Sequence, residues 1–212
     1  MPLVTIAAPT ESQIPLVCKI AKDFLNTKRF CCCVPVGNQT VSDSIIKKHW
    51  TKHPSVQKFA ALALGEAGEP LGFMQLIFAG MPCDLHTSKK GECYIETLAV
   101  LPEARGKGVG TMMLEYAESV AVKEGCEVLS LEVLNGNPAA RLYSRFGFVE
   151  KTQSACEDCL GMLIVSCLLG RVYGCFGPCG AKTMEKPLAG GEGEAVEGGG
   201  AGGSGAEVAM ER

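Results

Sequence analysis

Apolar positions recur along the first 188 residues in two rhythms, every second residue and every third or fourth, and the change from one to the other marks out the elements. Leu3 to Ala8 has the pattern of a short strand. Thr10 or Ser12 caps a helix that runs from about Ile14 to Leu25. Between Ser42 and His53, the residues Ile45, Ile46, His49 and Trp50 stand at three- and four-residue spacing, which predicts a second short helix ended by His53-Pro54. Phe59 to Leu64 and Leu71 to Phe78 are strand-like runs on either side of Gly65-Glu66-Ala67-Gly68-Glu69-Pro70, so they form a hairpin. Glu92 to Val100 is another strand. A period of two puts Tyr94, Glu96, Leu98 and Val100 on one of its faces, and Pro102 closes it.

From Gly110 to Glu124 the stripe Met113, Leu114, Ala117, Val120 and Ala121 marks an amphipathic helix with Gly125 as its C-cap. Cys126 to Leu134 reads as a buried strand. Pro138 suits the first turn of a further helix that Asn137 caps and Gly147 ends, before the strand-like Phe148-Val149. The order is mixed α/β. Residues 189–212 break both rhythms, with nine glycines in 24 positions and almost no large apolar side chain. Such a segment cannot offset its ordering entropy, so a disordered tail is expected after one domain spanning residues 1–188.

The chain of 212 residues, 47% hydrophobic, is long enough for one sizeable core and too short for two ordinary domains. Its 20 Lys and Arg against 23 Asp and Glu give a net charge of −3, which supplies no field for nonspecific binding of nucleic acid or an anionic membrane. Any anion site must be local. Met1 to Gln13 lacks the basic start and apolar run of a secretory signal, and the apolar run Leu160 to Leu169 is shorter than the roughly 20 residues of a membrane span. A cytoplasmic or nuclear protein is expected, with its 12 cysteines mostly thiols.

At the join between the strand Glu92 to Val100 and the next helix stands Arg105-Gly106-Lys107-Gly108-Val109-Gly110. Glycines let the backbone turn sharply and aim several N–H groups at one point, where the helix start adds positive potential. That is the chemistry of a phosphate cradle. Two nucleotide loops do not fit: Lys107 is followed by Gly108 and not by Ser or Thr, and the glycine spacing is G-x-G-x-G.

The stretch Leu98-Ala99-Val100-x-Pro102-x-x-Arg105-Gly106-Lys107-Gly108-Val109-Gly110 resembles the R/Q-x-x-G-x-G/A signature of GNAT acetyltransferases. Asn137-Pro138-Ala139-Ala140-Arg141-Leu142-Tyr143-Ser144-Arg145-Phe146-Gly147-Phe148 is similar to the later helix of that family, and Thr183 to Leu188 to its last strand. The resemblance implies a mixed, mostly antiparallel central sheet flanked by helices. It also implies an acyltransferase that takes acetyl-CoA as co-substrate and an amine, small molecule or protein, as acceptor.

Residue by residue, the resemblance implies that backbone groups of Leu98, Ala99 and Val100 pair with the pantetheine arm and that N–H groups of Gly106, Lys107, Gly108, Val109, Gly110 and Thr111 hold the pyrophosphate. Arg105 adds charge there or is a solvated loop cation. Tyr143 stands where the family places the general acid for the departing thiolate, its other reading being a core aromatic. Asn137 precedes Tyr143 by six positions where many members have seven, a turn of about 100° around a helix, so Asn137 is a CoA contact or only a cap and Asn135 is the other candidate.

An amine nucleophile must lose a proton, and Glu96, two residues before Leu98, is the candidate base; His86 is a second option from a loop. Cys31-Cys32-Cys33 cannot all face one way. The pairs Cys156/Cys159 and Cys175/Cys179, with fifteen residues between them, are near four-thiolate spacing. The segment between is strongly apolar, so packing is expected and no metal. The competing function is a noncatalytic acyl-CoA-binding module, against which Tyr143 beside an intact phosphate loop argues.

Overall fold

The computed structural model describes residues 4–26, 42–83, 86–134, 137–151 and 181–188. The cysteine triplet, Asn135, both cysteine pairs, the run Leu160 to Leu169 and the tail 189–212 lie outside the described residues.

Seven described strands form one sheet in the order β1-β2-β3-β4-β5-β7-β6: Thr5–Ala7 (β1), Ala60–Leu64 (β2), Pro70–Phe78 (β3), Glu92–Val100 (β4), Val128–Leu134 (β5), Val149–Glu150 (β6) and Ala181–Pro187 (β7). Every neighbouring pair is antiparallel except β4 and β5. A parallel pair needs a crossover, and the helix Val109–Lys123 (α4) provides it. The mixed, mostly antiparallel sheet with helices is as the motifs imply.

Two apolar clusters cover opposite faces of the sheet. On one side α4 lays Met113, Leu114, Ala117 and Ala121 against Cys93, Ile95, Leu129 and Leu131, with Tyr143 from the helix Ala139–Arg145 (α5) in the same cluster. On the other side Ile14, Val17 and Ile20 of Ile14–Asn26 (α1), Trp50 of Asp43–Lys52 (α2) and Val56 of Pro54–Lys58 (α3) pack on Leu62, Phe73 and Ala99. The helix starts follow their caps: Thr10 and Gln13 form a capping box before α1, and Ser42 Oγ accepts from Ile45 N–H at 3.4 Å at α2. Pro54 does end α2, but as a first-turn proline it also opens α3, an element that the apolar spacing does not announce.

One expectation is corrected. Gln75 faces Thr97 while the next residue, Leu76, faces Ile95, so Glu96 is the extra residue of a β-bulge. The bulge shifts the alternation by one. Leu98 and Val100 therefore join the α4 side with Ile95, and Glu96 stays with Tyr94 on the opposite face. Tyr94, Glu96, Leu98 and Val100 do not share one face.

Candidate active site

The bulge sits where β4 and β5 separate. Their register runs from Glu92 opposite Val128 to Ile95 opposite Leu131 and goes no further, although β4 continues to Val100 and β5 to Leu134. Leu101 N–H bonds the Leu71 carbonyl at 2.9 Å, which fixes the alternation along the β3 side. Ala99 turns its backbone groups to Phe73, whereas Leu98 and Val100 turn theirs to the edge that β5 has left. Arg105 reaches back onto that edge, its Nε donating to the Val100 carbonyl at 2.9 Å.

Beyond the edge, Gly106 and Gly108 hold φ of 73° and 83°, the left-handed region, and the space where a Cβ would stand is open at both. Gly108 is the N-cap of α4 and offers no side chain. No acidic residue occupies the first turn. The first helical bond runs from Met112 N–H to the Gly108 carbonyl at 3.0 Å, so the N–H groups of Val109, Gly110 and Thr111 have no helical acceptor. With the helix dipole behind them they suit an anion such as a pyrophosphate. Lys107 is exposed beside them, and the Val109 side chain is buried in the core. Gly110 has a packing reason as well: a Cβ there would stand 3.0 Å from Leu142 Cδ2 and 3.9 Å from Val100 Cγ2, so the helix start is pressed against α5 and the end of β4.

Tyr143 is buried, 7% exposed, and meets Phe148 edge-on with ring centroids 6.0 Å apart. Burial pushes its hydroxyl up to about 12, so the phenol carries its proton across the neutral range. Asn137 is exposed, and its Oδ1 accepts the Ala139 N–H at 3.0 Å. That bond satisfies an N–H at the start of α5, whose N-cap is Pro138.

On the opposite face of β4, the carboxylate Oε1 of Glu96 accepts the thiol of Cys83 at 3.3 Å. The phenol of Tyr94 is pushed up by burial and then by its neighbours Glu132, Cys83, Glu96 and Glu92. His86 stacks on Tyr94, centroids 4.2 Å apart, and its Nε2 lies 2.9 Å from Glu92 Oε1. Burial works to raise the Glu92 carboxyl, but hydrogen bonds from Ser130 Oγ at 2.6 Å, Lys89 N–H at 2.9 Å and His86 outweigh it and hold the group below the usual carboxylate range. His86 is thus tied to a buried carboxylate at the paired end of β4 and β5.

Cys83 and the Glu92 network were not singled out by the sequence. A buried Glu paired with Ser130 across two strands leaves no local pattern, and Cys83 comes from a loop. Among the described residues, no three His, Cys, Asp or Glu side chains converge as a metal site would need, and no helix is long and apolar enough to cross a membrane.

The family model described as "Acetyltransferase (GNAT) family" matches residues 24–148. The thialysine N-epsilon-acetyltransferase of Bos taurus is 31% identical over 107 residues, 50% of this chain and 63% of that protein. Streptothricin acetyltransferase of Streptomyces lavendulae is 34% identical over 88 residues, 41% of this chain and 42% of that protein. Both matches thus leave more than a third of the relative unmatched. Among solved structures, the yncA protein of Salmonella typhimurium, determined with acetyl-CoA, superposes with a TM-score of 0.61 at 16% identity, over 91% of this chain and 98% of that one, a likeness of fold. With a parted β4 and β5, an uncapped α4 and the family model over more than half its length, the chain belongs to the acetyltransferase (GNAT) family.

Proposed function

We propose that this chain transfers the acetyl group of acetyl-CoA to a primary amine by direct attack within a ternary complex. The observation that carries the reading is the gap after Ile95 and Leu131, which leaves the Leu98 and Val100 backbone without a β5 partner directly beside the free N–H groups of α4. Such an edge can take an extended amide chain as an added strand. The pantetheine arm of acetyl-CoA is such a chain, and its pyrophosphate suits the N–H groups from Gly106 to Thr111, with Arg105 and Lys107 supplying charge. Residues 1–188 form the catalytic domain in this reading, and 189–212 take no part in the chemistry.

Tyr143 lies in the cluster on the α4 side of the sheet and Glu96 on the opposite face, and in this reading the two reach the thioester from either side. Glu96 takes the proton that the amine must lose to attack the thioester carbon. As the carbon–sulfur bond breaks, Tyr143 gives its proton to the sulfur, which leaves as the thiol. Both groups suit their tasks: burial keeps the phenol protonated, and the bulge turns Glu96 away from the apolar α4 side.

The acceptor is a primary amine, as the names of the thialysine and streptothricin enzymes suggest for related chains. The test is thiol release from acetyl-CoA with a panel containing thialysine, lysine, a polyamine, streptothricin and peptides with free N-termini. Turnover with one of these that is lost in Glu96→Gln supports the reading. Acetyl-CoA binding with no transfer to any of them favours a noncatalytic module.

A further inference from the structure

We propose that Cys83 is a positioning residue for Glu96, its thiol fixing the orientation of that carboxylate at the bulge and stabilising its charged form. The proposal rests on the reading of Glu96 as the base. The 3.3 Å contact between Cys83 Sγ and Glu96 Oε1 joins the loop after β3 to the residue at which β4 departs from β5. A thiol is a weak donor to a neutral acceptor, but an ionised partner strengthens the bond.

The turn that precedes Cys83 is tied down. Met81 N–H bonds the Phe78 carbonyl at 3.0 Å, Phe78 N–H reaches Met81 Sδ at 3.4 Å, and Met81 packs on the α1 side cluster. That turn delivers Cys83 over the strand. Titratable groups on the face of the sheet that carries Glu96 come from three elements. Glu92 and Tyr94 come from its own strand, Glu132 from β5, and Cys83 and His86 from the loop before β4. A hydrogen bond to the charged form of a carboxylate favours that form.

Two readouts test this. The first is alkylation of Cys83 by iodoacetamide at pH 8, followed on its own peptide by mass spectrometry. Glu96→Gln removes the adjacent negative charge and is expected to speed that alkylation by roughly 3- to 10-fold, since the thiolate is the nucleophile. This arm needs no acceptor, and an unchanged rate overturns the proposal by itself. The second is the pH profile of kcat/KM with thialysine, or with the best amine of the panel. Cys83→Ala should move the acid limb up by about 0.5–1 pH unit, and Cys83→Ser should restore it. A merely structural role would lower the rate at every pH and not move the limb. If Glu96→Gln collapses the rate while Cys83→Ala leaves the limb in place, Cys83 does not position the base. If Glu96→Gln keeps the full rate, the base assignment itself fails, and Cys83 loses its role with it.

Discussion

Ile95 and Leu131 are the last residues of β4 and β5 to face one another, and the residue that follows Ile95 is the bulged Glu96. The bulge and the parting of the strands are one event. An extra residue bends the strand that carries it and increases its twist, so β4 swings away from β5 at the position where it also presents a carboxylate. The gap, the edge at Leu98 and Val100 that β5 leaves and the candidate base thus arise from one residue of β4.

The glycine loop gives the first prediction. Gly108 holds φ of 83° with open space around its Cβ position, so Gly108→Ala meets no neighbour and pays only for a left-handed backbone, about 1–2 kcal/mol. A native-state ligand raises the melting temperature with its concentration. Wild type should show that shift with CoA, and Gly108→Ala should show much less of it at matched ligand. A full shift in the variant would remove the phosphate role from the loop.

Gly110 behaves differently although it belongs to the same motif. A Cβ there meets Leu142 Cδ2 at 3.0 Å, so Gly110→Val overpacks the contact between α4 and α5 and should cost about 1–3 kcal/mol without any ligand present. Leu142→Ala in the same chain should recover part of that loss. Urea melts of the single and double variants measure the coupling, and simple additivity would show that the two positions do not press on each other.

Much of this was legible from local pattern. The α4 stripe is buried at Met113, Leu114, Ala117 and Ala121, the left-handed Gly125 follows the helix, and α5 begins after Asn137-Pro138. These depend on nearest turns of a helix or on a backbone only glycine adopts easily. The face of Glu96 was not legible, because Glu-Thr in the middle of an apolar strand reads equally well with a regular period of two or with an inserted residue. Only the pairing with β3 decides it. Cys83 and the Glu92 network depend on contacts across loops and strands, for which spacing carries no signal.

Glu92 links the site to pH. Its folded-state carboxyl lies below the ordinary value, so it contributes stability that is present above the unfolded pKa and is lost as pH falls through the folded one. The protein should therefore lose stability on acidification below about pH 4.5, and Glu92→Gln should flatten that part of the curve. Glu92→Ala would strand the buried Ser130 hydroxyl and should cost about 1–3 kcal/mol at neutral pH. Melting curves from pH 3 to 7 measure both effects. A wild-type slope that persists in Glu92→Gln would place the acid sensitivity elsewhere.

Truncation after Leu188 separates domain from tail. The glycine-rich composition of 189–212 offers little apolar surface to bury, so its removal is expected to leave the melting temperature and CoA affinity unaltered. A loss of several degrees would show that the segment docks on the domain.

Tyr143→Phe tests the chemistry most directly. The substitution keeps the ring that meets Phe148 and deletes only the hydroxyl, so fold and CoA affinity should change little. The departing sulfur gathers negative charge, and a thiol of ordinary pKa about 8.5 gains from a proton donor at neutral pH. Loss of that donor should slow the chemical step by roughly 10- to 1,000-fold. The pH profile carries a second signature. Because burial raises the phenol to about 12, Tyr143 remains a competent acid well above neutrality, and the alkaline limb of the wild-type profile should not reflect its ionisation below about pH 11. Single-turnover acetyl transfer, measured beside CoA titration for both proteins, isolates the step from binding. Equal rates would make Tyr143 a core aromatic and leave the thiolate to depart without a proton from this chain, whereas a slow variant with unchanged CoA affinity assigns the loss to the hydroxyl.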